Sequence, residues 1–65
     1  MTDFTIADRG SIFLIRPVSE AAHRWLDVNI VAEPWQWVDG ALAVDHRFAR
    51  DIVAEITDAG FEISR

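Results

Sequence analysis

"WVDGALAVDHRFARDI", residues 37–52, decides the fold. Asp39-Gly40 stands between two β-prone runs, and Asp-Gly in that setting is a strong signal for a two-residue hairpin turn. Ala41 to Val44 then leads directly into Asp45, a residue type that caps helices. Behind it Phe48, Ile52, Ile56 and Ala59 recur at helical spacing. This predicts a helix over residues 46–59 with those four side chains on its core face. Gly60 follows where a C′ glycine belongs. The stretch therefore reads as a ββα unit.

Towards the C-terminus, Phe61 and Ile63 alternate with Glu62 and Ser64, which predicts a short last strand. Towards the N-terminus, the first strand of the hairpin is predicted over residues 35–38, after an exit loop over 31–34. Strand alternation would place Trp35 and Trp37 on one face. Such a pair suits either a stacking platform for a base or sugar, or a core. A net charge of −5 speaks against the platform, because stacking platforms accompany basic grooves. A 65-residue chain with no cysteine also needs large side chains inside. At least one of the two is expected in the core, with Trp25 as its neighbour.

The N-terminal half repeats the logic. Residues 2–7 alternate, with Phe4 and Ile6 on one side. Asp8-Arg9-Gly10 is a turn signal. Residues 11–16 are apolar on both faces, the mark of a central strand. Pro17 ends the hairpin, and Ser19 is placed to cap a helix over residues 19–29. Ala22, Trp25, Leu26 and Ile30 form its apolar side, and Glu20 and Arg24 pair at i, i+4. The order is β-β-α-β-β-α-β in a single domain, 1–65. This predicts an α+β fold: a five-stranded, mostly antiparallel sheet with two helices on one face. Gly10-Ser11-Ile12-Phe13-Leu14 echoes Gly40-Ala41-Leu42-Ala43-Val44, and a helix follows each. The echo fits a ββα duplication and fits two independent hairpin–helix units equally well.

Eleven acids face six bases, all of them Arg. That balance argues against direct nucleic-acid binding, because phosphates would be repelled, and favours a protein partner with a basic surface. No run approaches a membrane span, and "MTDFTIADRG" lacks the features of a signal peptide, so no membrane association and a cytoplasmic location are expected. No disulfide or Cys-based zinc site is available without cysteine.

Catalytic signals are weak. His23 lies one helical turn from Asp27, and His46 adjoins Asp45, but no third metal ligand stands at a matching spacing. Thr2, Thr5, Ser11 and Ser19 occupy no nucleophile elbow, and no phosphate loop is present. The expectation is a non-enzyme with no cofactor and no metal. The pattern that stands out is Asp51, Glu55 and Asp58, an acidic stripe opposite the apolar face of the second helix. Glu62 would extend it. Acids about 5–6 Å apart along a helix approach the spacing of backbone phosphates, so a stripe of this kind can imitate a nucleic-acid strand. Glu33 and Asp39, with Asp3 and Asp8, would form a second patch at the hairpin ends.

"GSIFLIRPVSEAAHRWL" (residues 10–26) and "WVDGALAVDHRFARDI" together resemble a set of small uncharacterised proteins of proteobacteria and their phages. The shared features are structural: Gly-Ser-Ile, Pro, a Ser/Thr cap, Ala-x-x-Trp, then Trp, Gly and Ala-Leu-x-Val-acid. Val38-Asp39 departs from the tighter aromatic-Gly turn of that pattern. In size and charge the chain also resembles the anti-CRISPR proteins, some of which are DNA mimics. That resemblance implies a monomeric inhibitor of a type I CRISPR surveillance complex. It would bind a basic DNA-recognition surface through Asp51, Glu55, Asp58 and Glu62, supported by Glu33 and Asp39. The alternative is a small structural or regulatory interaction module that self-associates through an edge strand or an exposed Trp.

Overall fold

The computed structural model describes residues 1–64. Strands β1 (Phe4–Asp8) and β2 (Ile12–Pro17) form the first hairpin, and helix α1 (Glu20–Asn29) follows. A single 3-10 turn (Pro34–Gln36) leads into β3 (Trp37–Val38) and β4 (Ala41–Asp45), then helix α2 (His46–Asp58) and β5 (Ile63–Ser64). The sheet order is β3-β4-β2-β1-β5. Its pairs are antiparallel except β1 with β5, which run parallel. The fold is α+β, with the predicted order of strands and helices.

Local chemistry sets each boundary. In the first turn Gly10 takes φ 87° and donates its N–H to the Asp8 carboxylate at 2.8 Å. Ser19 caps α1 by accepting from the Ala22 N–H at 3.1 Å. Asp45 ends β4 and caps α2 in one residue, accepting from the Phe48 N–H at 2.8 Å. Gly60, at φ 90°, closes α2: its N–H reaches the Thr57 carbonyl, and the Phe61 N–H reaches that of Ile56. These are the two bonds of a Schellman motif.

Both helices cover the same face of the sheet. Phe4, Ile15, Leu42 and Val44 share one buried cluster with Ala22 and Leu26 of α1 and with Ala49, Ile52 and Ile56 of α2. Phe4 also meets Trp25 and Phe61 edge-on, at 6.2 Å and 5.6 Å between ring centroids. The Asp3 carboxylate ties the two ends of the fold together. It accepts from the Ser19 hydroxyl at 2.8 Å and from the Glu62 N–H at 3.0 Å.

The β2–β4 pair lies at the centre, so the two ββα units sit side by side in opposite directions. Their equivalence differs from the sequence echo by one residue. Phe13 and Leu42 face the helices, as do Ile15 and Val44, whereas the echo would match Phe13 with Ala43 on the opposite face.

Three expectations change. Trp35 lies in the 3-10 turn and not in a strand. Pro34 at the first position supplies the φ that the turn needs, and the Gln36 side chain accepts from the Glu33 N–H at 2.9 Å, closing a capping box. Neither Trp35 (77% exposed) nor Trp37 (37%) is core, and the ring beside Trp25 belongs to Phe4 or Phe61. In α2 the buried stripe is Ala49, Ile52 and Ile56, so Phe48 is left half exposed and Ala59 outside. The small Ala49 side chain occupies the first core-facing position, where α2 leaves β4.

Candidate functional site

The outer face of α2 follows from that rotation. Phe48, Asp51, Glu55 and Asp58 are all exposed, and their spacing of three, four and three residues aligns them on one side. Asp51 and Asp58 are separated by about 10 Å along the axis at 1.5 Å per residue. No ion pair reaches these acids among the described residues. The pairs that do form are the N-terminal amine with Glu62 at 3.2 Å, and Arg24 with Glu20 at 3.9 Å.

The charges of α2 run against its dipole. Arg47 and Arg50 sit in the N-terminal half, while Glu55 and Asp58 approach the C-terminus. Helices favour the reverse arrangement by about 0.3–1 kcal/mol per charge. Helix stability therefore does not account for where these acids lie. Asp45 is separate from the stripe. The Phe48 N–H holds its carboxyl below the ordinary aspartate range, and its role is to cap the helix.

The six predicted residues divide into three places. Asp51, Glu55 and Asp58 share the α2 face. Glu62 precedes β5 at one edge of the sheet, where it pairs with the N-terminal amine. Glu33 precedes the 3-10 turn and Asp39 lies in the β3–β4 turn, both at the opposite edge. Four strand spacings, roughly 19 Å, separate those edges. Of the second-patch acids, Asp8 and Asp3 are engaged by backbone and capping bonds.

Two features escaped the reading of the sequence. Phe48 reads as core from its spacing with Ile52 and Ile56, yet it stands exposed at the head of the acidic stripe. The i, i+3, i+7 spacing of Ala49, Ile52 and Ile56 is the signal that identifies it as outward. A half-open cleft of about 280 Å³ also lies between α2 and the first hairpin, lined by Ile6, Phe13, His46, Ala49, Arg50 and Val53. His23 and His46 are both exposed. Among the described residues no group of three acidic or histidine side chains is placed to hold a metal ion. Among the described residues no helix is long and apolar enough to cross a membrane.

No protein-family model matches the chain. No curated protein and no solved structure matches it either.

Proposed function

We propose that the chain is a small inhibitory binding protein whose α2 face occupies a basic, nucleic-acid-reading surface on a protein partner. The observation that carries this reading is the row Asp51, Glu55 and Asp58: exposed and without ion pairs among the described residues, with Glu55 and Asp58 set against the helix dipole. Phe48 supplies an apolar anchor at the head of the row, the kind of side chain that concentrates binding energy when buried by a partner. Glu62, Glu33 and Asp39 act at most as outlying charges, since the sheet holds them at its two edges.

A CRISPR effector complex, type I in particular, is the partner that the resemblance in size and charge points to. DNA mimicry there requires direct competition with target DNA. The test uses a purified type I surveillance complex, with and without duplex target, and the variant Asp51→Arg/Glu55→Arg/Asp58→Arg. Binding should weaken with salt and be displaced by DNA. The triple variant should lose about a hundredfold in affinity, at roughly 1 kcal/mol per reversed contact. It should stay folded, because a cation in the last turn of α2 suits the dipole. Failure of the native chain to bind removes this partner. Equal binding by the triple variant removes the α2 face.

A further inference from the structure

We infer that the uncovered face of the sheet is the contact surface for a second copy of this chain, forming an α/β–β/α sandwich with the helix layers outermost. Both helices pack on one face, so the other has no layer over it. Sheets with one solvated face alternate apolar and polar residues, but β2 does not. Its outward positions are Ile12 and Leu14, with Arg16 at the end.

Cross-strand register places Ala7 and Ala43 directly on either side of Leu14. The row is therefore one large apolar side chain between two small ones. A two-fold operation brings the Leu14 of each copy over an alanine hollow of the other, as a self-complementary contact requires. Ile12 (46% exposed) and Val38 (44%) extend the apolar surface towards its margins.

Charge favours the same occupant. The chain is 26% charged, with a net of −5. On the β2 and β4 part of this face the charged side chains are Arg16 and Asp45, one towards each end; the Arg16 guanidinium donates to the Asp39 carbonyl, and Asp45 caps α2. The centre, where Ala7, Leu14 and Ala43 lie side by side, offers a basic partner no acid to pair with, whereas a second copy meets it uncharged to uncharged. The size is adequate. One side of a body measuring 26 × 21 × 19 Å, exposing 4475 Å² in all, is roughly a sixth of that surface, close to the ~800 Å² per partner of a standard interface. The edges offer less. β3 and β5 hold two residues each, and Pro34 with its 3-10 turn interrupts the β3 edge. This assembly is independent of the proposal for α2, whose acidic face would point outward from both copies.

The experiment is sedimentation equilibrium of the native chain and of Leu14→Arg, Ala7→Arg and Glu55→Arg, with circular dichroism to confirm that each is folded. The native chain should show twice its 7.4 kDa mass at micromolar to tens-of-micromolar concentration. The dimer should tighten as salt screens the repulsion between two copies of charge −5, opposite in sign to the salt response of the α2 face. Ala7→Arg, at an exposed position, and Leu14→Arg should each return the monomer mass, and Glu55→Arg should leave the dimer intact. A native chain that is monomeric at 100 µM and high salt overturns the inference. So does a dimer that survives Ala7→Arg and Leu14→Arg, or one that Glu55→Arg alone dissociates.

Discussion

Replacing Phe4 by Leu, beside replacing Trp35 by Ala, tests where this chain keeps its aromatic core. Phe4 is fully buried on β1 and meets Trp25 of α1 and Phe61, which follows α2, both edge-on. Trp25 and Phe61 also meet each other, at 6.1 Å. One side chain thus joins the sheet to α1 and to the segment that leaves α2. A Leu keeps an apolar group at the site, at a packing cost below about 1.5 kcal/mol. It also forfeits two aromatic pairs worth about 0.5–1.5 kcal/mol each. The total comes to roughly 2–3 kcal/mol. A domain of this length has about 3–10 kcal/mol of stability to lose. Alanine at the same position, at about 3–5 kcal/mol, would leave little folded protein to measure, which is why Leu is the better probe.

Urea unfolding followed by far-ultraviolet circular dichroism reads the difference. With a slope near 1 kcal/mol per molar for a protein this small, Phe4→Leu should lower the midpoint by about 2–3 M. Trp35 is 77% exposed, so Trp35→Ala should stay within about 0.5 kcal/mol, and its midpoint should barely move. The reverse ranking, with Trp35→Ala costing over 1.5 kcal/mol and Phe4→Leu under 0.5, would refute the assignment of the core to Phe4, Trp25 and Phe61.

Two further outcomes follow from the turns and caps. Gly40→Ala should cost about 1–2 kcal/mol, because φ is 79° there, and Gly10→Ala, at φ 87°, should cost about the same. A new Cβ at Gly40 would stand 3.6 Å from Arg16 and one at Gly10 would meet nothing, so equal losses in a thermal melt identify backbone strain as the cause. Asp3 and Asp45 both titrate below the ordinary aspartate range. Asp3 is held down chiefly by the Glu62 N–H and then by the Ser19 hydroxyl, and Asp45 chiefly by the Phe48 N–H. A depressed native value means the carboxylate favours folding: the contribution is complete above about pH 4 and is lost as pH falls through the native values. Asp45→Asn keeps a capping side chain but cannot titrate, so its stability, followed by circular dichroism between pH 2 and 5, should decline less steeply than that of the native chain.

The elements were legible because each boundary is chemically local. Ser19, Asp45 and Gly60 bond within a few residues of themselves, so their roles could be read without knowing the fold. The errors lie where a one-residue phase decides which side is buried. Trp35-Gln36-Trp37 has strand periodicity, yet Pro34 and the Glu33–Gln36 capping box draw Trp35 and Gln36 into a single helical turn and leave Trp37 to begin β3. That pattern was available in the sequence but lost to the apparent alternation. The echo between the hairpins was read from its glycines, Gly10 and Gly40, whereas ladder register equates positions one residue away.

The same phase problem governs the site. Counting Phe48 with Ile52 and Ile56 produces a plausible core face, and counting Ala49 with them produces another. Only the second leaves Phe48 beside Asp51 on the outside. The acids read as a row from the sequence alone, because carboxylates at i, i+4 and i+7 share a face under either phase. Their union with Glu33, Asp39 and Glu62 was not legible. It depended on sheet order, and the order sends β3 and β5 to opposite edges. The contact proposed for α2 therefore has Phe48 as its apolar end, and Glu33, Asp39 and Glu62, held at the edges of the sheet, lie outside it.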